Sequence, residues 1–289
     1  MNSLLEFIPE LPVAEWMAQI VQWLTIHLNQ FFDAITDGGQ TLMNWMTSLF
    51  QLIPPIVMIV LVAFACFWLT GKKYGLAIFS IIGLIYIYNQ GLWEDMLFTL
   101  ALIIVASFIS IILGIPLGIL MAKSDIVNSI MQPILDFMQT MPAFVYLIPS
   151  VAFFGIGMVP GVFASVIFAL PPIVRFTNLG IRQVPLELME AATSFGSTSR
   201  QKLFKLELPM AMSTIMAGVN QTVLLALSMV VTASMIGAPG LGYNVLSALQ
   251  RGQVGSGFVS GFALVALAIM IDRMLQASSK RSNVNEEGA

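Results

Sequence analysis

Side chains that carry out reactions are scarce in this sequence, and the few present lack partners. His27 is the single histidine and Cys66 the single cysteine of 289 residues. A metal site needs several ligands at characteristic spacing, so a lone histidine reads as a surface or packed side chain. Cys66 lies in an apolar run, which predicts neither a disulfide nor a cysteine-based metal site. A catalytic set needs a nucleophile, a base and an orienting group in one place, and this composition does not supply one. The segment Gly237-Ala238-Pro239-Gly240-Leu241-Gly242 has the glycines of a phosphate loop. It lacks the Lys-Ser/Thr that would follow, so it reads as a turn at an external helix end.

The polar residues inside apolar runs point instead to passage. Asp136 stands near the start of such a run. A carboxylate at mid-bilayer costs roughly 2.5–3.5 kcal/mol, so Asp136 is expected at a boundary or facing a wet cavity, where a pathway role is the sharper reading. Asn220, Gln221, Thr222, Ser228 and Thr232, with Ser234, stud the run 213–236. Bonding between helices is the plain explanation; lining a polar passage is the alternative, for which the first five are the candidates. The aromatics Phe144, Tyr146, Phe153 and Phe154 read as packing rather than a cage for a cationic ligand.

One charged segment interrupts the apolar chain: PLELMEAATSFGSTSRQKLFKLELP, residues 185–209. Pro185 suits the first turn of a helix, where its missing N–H is not needed. Glu187 complements the positive end of the helix dipole. Ala191 and Ala192 are small enough for another protein surface to approach closely. Gly196 can adopt a left-handed conformation and end the helix, and Ser197, Thr198 and Ser199 offer a cap for a second one. Arg200, Lys202 and Lys205 lie on that second helix, which Pro209 should terminate or kink. Two short helices at an angle are expected, the first with a small-residue face.

The elements that hold these residues follow from composition. The chain is 58% hydrophobic and 9% charged, against about 25% charged in a typical soluble protein. Most of its surface must face lipid. The net charge of −3 speaks against a nucleic-acid partner. No basic region followed by a compact apolar block opens the chain, so no cleavable signal peptide is expected. Apolar runs of about 17–25 residues predict an all-α polytopic membrane protein with about seven transmembrane helices. They fall at Leu52–Leu69, Leu76–Gly91, Leu97–Ala122, Ile134–Val159, Val162–Thr177, Ser213–Ile236 and Val254–Ile271. Pro142, Pro149, Pro171 and Pro172 are expected to break the fourth and fifth. Val13, Trp16, Met17, Ile20, Leu24, Leu28 and Phe31 recur at helical spacing in the first fifty residues. This predicts an N-terminal amphipathic helix, either on the outer membrane surface or packed on the bundle as scaffold.

Lysine and arginine set the orientation. Lys72, Lys73, Lys123, Arg175, Arg182, Arg200, Lys202, Lys205, Arg273, Lys280 and Arg281 fall on one side, and only Arg251 falls on the other. The N-terminus is therefore expected outside and the C-terminus in the cytoplasm. The predicted organisation is an external segment 1–50, two peripheral helices in 51–94, a core 95–276 with a cytoplasmic loop 178–212, and a polar tail 277–289 expected to be disordered.

The spacing Glu190-Ala191-Ala192-x3-Gly196-x9-Leu206-x-Leu208-Pro209 resembles the "EAA" loop of ABC-importer permeases, with Leu206 where the family often has Ile. The segments MQTMPAFVYLIPSVAFFGIGMVPG (138–161), FALPPIVRFTNLGIRQVP (168–185) and PMAMSTIMAGVNQTVLLALSMVVTASMIGAPGLG (209–242) are similar to permeases of glycine betaine, proline and related quaternary-amine uptake systems. The resemblance covers roughly 95 to 275, about three fifths of the chain, with Pro239 a local departure where many relatives have Gly. It implies a type I ABC importer permease fold in a prokaryotic cell membrane, taking up glycine betaine or a related compatible solute. Choline, carnitine or proline are the alternatives, and an ion-coupled secondary transporter is disfavoured because the runs hold almost no ionisable groups. It also implies the partners: a second permease copy, two ATPase subunits, an external solute-binding protein and the lipid bilayer. Glu190, Ala191, Ala192 and Gly196 would then be the ATPase-coupling residues. No GxxxxGK[ST] segment occurs in the chain, so ATP and Mg are expected on the partner ATPase, and the chain itself is expected to be non-catalytic.

Overall fold

Apolar sequence becomes helix here because a membrane offers no other partner for backbone N–H and C=O groups. The computed structural model describes residues 12–71 and 74–287, with side chains to 278. Lys72 and Lys73, and the side chains of Lys280 and Arg281, lie outside the described residues. Among the described residues there are helices and turns and no strand.

The N-terminal part is two helices rather than one: α1 (Val13–His27) and α2 (Asn29–Gln51), parted at Leu28. On α1, Val13, Trp16, Met17 and Ile20 stay exposed, so its apolar face is not spent on the bundle. α2 does pack: Met43 and Thr47 are buried, and Phe32 stacks on Phe153 at 4.6 Å between centroids. α3 (Pro55–Leu69) follows at 93° to α2, and α4 (Tyr74–Asn89) packs on α3.

Among the described residues, four helices are long and apolar enough to cross a membrane alone. The first is α5 (Trp93–Lys123), whose 31 residues reach about 46 Å at 1.5 Å per residue, more than the roughly 30 Å hydrocarbon core. The expected fourth span is not one helix. It divides into α6 (Asp125–Thr140), a 3-10 turn at Ala143–Tyr146 and α7 (Leu147–Phe154), bent by 110°. Pro142 stands at the break, where Met141 is held extended, the conformation a residue before proline prefers.

The fifth span is longer than expected. α8 (Met158–Arg182) runs unbroken through Pro171 and Pro172. Both prolines, with Ala169 and Ile173, are buried between α5 and the later core helices. Packing on both flanks holds the turn that two missing N–H groups would otherwise loosen. Then come α9 (Leu186–Ser194), α10 (Ser199–Lys202), a π turn at Leu203–Glu207, α11 (Leu208–Ser234), α12 (Leu241–Gln250) and α13 (Val254–Glu287). Residues 277–287 of the tail expected to be disordered continue α13. Four long helices, two bent pairs and the short apolar α4 thus occupy the seven apolar runs.

The core is α5, α8 and α11 packed on one another. Small residues permit the approach. A side chain at Gly114 would run into Ile173, and a Cβ at Gly118 would lie 2.5 Å from the Cβ of Thr177 and 2.7 Å from the Val174 carbonyl. The second small-residue pair behaves differently. Gly257 faces Ala248, while nothing lies within 4 Å of a Cβ at Gly261. These two glycines floor an apolar groove of about 570 Å³ between α12 and α13.

Candidate functional site

The charged interruption forms two structures that the sequence pattern foretold and one that it did not. α9 starts after Pro185, carries Glu187 in its first turn and has no buried residue. Glu190 and Ala191 are exposed and Ala192 is partly covered. Phe195 at its end is 90% exposed, and Leu186 and Leu188 on the same helix are also exposed. Gly196 makes the turn with φ +75° and open space around its Cβ position, so the left-handed backbone and not crowding selects glycine there. Thr198 then caps α10 through a reciprocal capping box with Gln201, satisfying two donors that a helix start otherwise leaves open. Lys202 Nζ donates back to Thr193 Oγ1 at 3.1 Å, tying the two short helices together.

Pro209, expected to terminate or kink the second helix, does not end it. α10 runs through the π turn into α11, and the two count as one 36-residue span from Ser199 to Ser234. A wider turn immediately before a proline reconciles the missing N–H with a continuous helix. The Leu208 N–H reaches back to the Leu203 carbonyl and closes that turn.

The base of this projection is fastened by polar pairs between elements distant in sequence. Arg182 at the end of α8 donates to Asp125 Oδ1 at 2.8 Å and to the Met121 carbonyl at 2.9 Å. Its Nε donates to Asn178 Oδ1 at 3.0 Å, and Asn178 donates to Asn128 Oδ1 at 2.9 Å. Ser124 caps α6 by accepting from the Val127 N–H. Lys123, the last residue of α5, pairs with Glu207 in the π turn. Arg175 on α8 pairs with Asp136 on α6, whose side chain is not covered by the rest of this chain. Sequence reasoning missed most of these. Asp125 and Arg182, or Lys123 and Glu207, carry no local signature, because the members of each pair lie many turns apart along the chain.

The candidate lining residues divide across α11. Gln221 and Ser228 are exposed and Thr232 is half-exposed, all on one stripe. Thr222, about 100° round the helix from that stripe, is fully buried. Asn220, about 100° round the helix on the other flank of the stripe, is partly buried, with its Oδ1 buried and without a hydrogen-bond partner, as is Thr222 Oγ1. Ser228 donates to the Leu225 carbonyl at 2.7 Å, a bond within its own helix. At the far end of the core, Thr99 Oγ1 accepts from the Leu241 N–H at 2.9 Å and Asn244 donates to Asp95 Oδ2 at 2.6 Å. These two bonds hold the glycine-rich turn as a structural corner.

The family model for the inner membrane component of binding-protein-dependent transport systems matches residues 114–284, the segment that contains α8, α9 and its turn, α11 and the end of α5. The chain belongs to that family. The glycine betaine/carnitine transport permease protein GbuB of Listeria monocytogenes is 57% identical over 95% of this chain and 98% of its own length. The glycine betaine transport system permease protein OpuAB of Bacillus subtilis is 47% identical over 93% of this chain and 95% of its own. ProW of Escherichia coli, a glycine betaine/proline betaine permease, is 45% identical over 94% of this chain and 76% of its own. An inward-facing structure of the MetNI methionine ABC transporter aligns with a TM-score of 0.57 at 22% identity, covering 65% of this chain and 92% of that one. At that identity the likeness shows the fold, which is the type I ABC importer permease fold. The permease is a multi-pass membrane subunit of an ABC importer.

Proposed function

We propose that this permease forms the solute pathway of an ATP-driven importer for glycine betaine or a related compatible solute. It works with a second copy of itself, two ATPase subunits and an external binding protein. The observation that carries the reading is α9: a short helix with no buried residue, projecting from the end of the core where Lys123, Arg182, Arg200 and Lys202 gather. A helix that buries nothing in its own chain, and is braced at its base by ion pairs, is built to be gripped by another protein. Glu190 orients that helix, Ala191 and Ala192 let a partner surface come close, and Gly196 makes the turn. ATP and Mg belong to the ATPase subunits.

The basic end supports a cytoplasmic location for α9 and for the C-terminus, with the N-terminus outside, since lysine and arginine concentrate in cytoplasmic loops. The names of three relatives support glycine betaine as the solute. Betaine carries no net charge, so a lining of neutral groups such as Asn220, Gln221, Thr222, Ser228 and Thr232 is enough for passage. Carnitine, named for the Listeria relative, is the second reading.

The test is uptake of radiolabelled glycine betaine into vesicles holding the permease with its ATPase and binding protein. Carnitine, choline and proline compete in parallel. Glycine betaine uptake that requires ATP and resists the other three supports the assignment. Uptake driven by an ion gradient without ATP would sink it.

A further inference from the structure

The π turn Leu203–Glu207 lies between the exposed α10 and the membrane-spanning α11. A π turn is rare within helices and recurs at functional sites. Its last residue, Glu207, is 1% exposed and is the one acidic side chain among the described residues that is fully buried. One carboxylate oxygen pairs with Lys123 Nζ at the end of α5. The other, Oε1, is buried without a hydrogen-bond partner. Leu203 and Leu208, at either edge of the turn, pack on the cluster of Ile173, Ile181, Ala211 and Ile215. Elements from α5, α8 and α11 therefore converge on this single turn.

A buried carboxylate needs a partner charge, and among the described residues Lys123 supplies it. Lys123 is 41% exposed, so the pair is fixed in the protein at the Glu207 end and open to water at the other. We infer that the Lys123–Glu207 pair is a latch joining the α11 end of the π turn to the end of α5, so that a displacement of α9 and α10 that reaches the turn moves α5 and α11 together. Without the latch, α5 is no longer tied to the turn, and the displacement is not shared between the two membrane helices. Glu207 and Lys123 are positioning residues in this role, and the role rests on the proposed coupling function of α9.

The experiment compares Glu207→Gln, Lys123→Gln and Lys123→Arg in the full complex in vesicles. It measures solute moved per ATP hydrolysed at matched amounts of complex. The two Gln variants are expected to lower that ratio at least tenfold while ATP hydrolysis continues. Lys123→Arg, which keeps the charge, is expected to retain the parent ratio. A merely structural role lowers the amount of complex and leaves the ratio alone, and an unchanged ratio in both Gln variants overturns the latch. Should Glu207→Gln fail to accumulate, the half-exposed Lys123→Gln decides by itself. Gly196→Val serves as the reference for α9. If it uncouples while both Gln variants keep the parent ratio, the latch alone fails; if it stays coupled, the reading of α9 fails.

Discussion

Arg182 holds the Met121 carbonyl and the Asp125 carboxylate in one grip, at 2.9 and 2.8 Å, so the end of α8 is clamped to the corner where α5 turns into α6. α9 begins four residues beyond that clamp, and its position relative to the core depends on it.

The two halves of the grip should differ in worth. Asp125 is 90% exposed, and an exposed ion pair contributes about 0–1 kcal/mol. Asp125→Ala is therefore expected to leave thermal stability of the purified permease within about 1 kcal/mol of the parent. Arg182→Ala also removes the bonds to Met121 and Asn178, and a larger loss of melting temperature should follow. Equal melting temperatures for the two variants would show that the carbonyl bond carries no weight.

Gly118 should tolerate no side chain. A Cβ there meets Thr177 and the Val174 carbonyl, and overpacking of this kind typically costs about 1–3 kcal/mol. Gly118→Leu is expected to lower the yield of folded permease on size-exclusion chromatography. Gly261→Leu, at a position with nothing within 4 Å of the Cβ, should leave that yield near the parent's.

Thr99→Val keeps the shape of the side chain and removes the oxygen that accepts from the Leu241 N–H. A buried donor left alone costs about 1–3 kcal/mol. The variant should unfold at lower temperature and exchange the Leu241 amide proton faster with deuterium. Unchanged exchange at Leu241 would mean that the turn does not rely on Thr99.

The stripe on α11 can be read with thiol labelling. The native Cys66 is buried, and Cys66→Ser supplies a silent background. Gln221→Cys and Ser228→Cys should react with a small water-soluble maleimide in the assembled importer, and excess solute with ATP should change their rates. Thr222→Cys should stay unreactive because it faces the core. Labelling of Thr222→Cys as fast as Gln221→Cys would move the pathway to another face.

Local chemistry made much of this permease legible before its structure. Apolar runs announce helices, since lipid leaves backbone groups no other way to pair. Pro185, Gly196 and Thr198 each mark a boundary of the α9–α10 pair, because caps and turns are made within a few residues. Other features depended on neighbours far along the chain. Pro171 and Pro172 read as breaks, yet burial between helices keeps α8 whole. Pro209 read as a terminator or a kink, yet a π turn carries the helix past it. The polar residues of α11 looked like one set until packing sent Thr222 inward and left Gln221 and Ser228 outward. Lys123 and Glu207, 84 positions apart, gave no hint of each other. A sequence states what each residue can do locally; which distant charge it meets, and which face it turns inward, is decided only when helices pack.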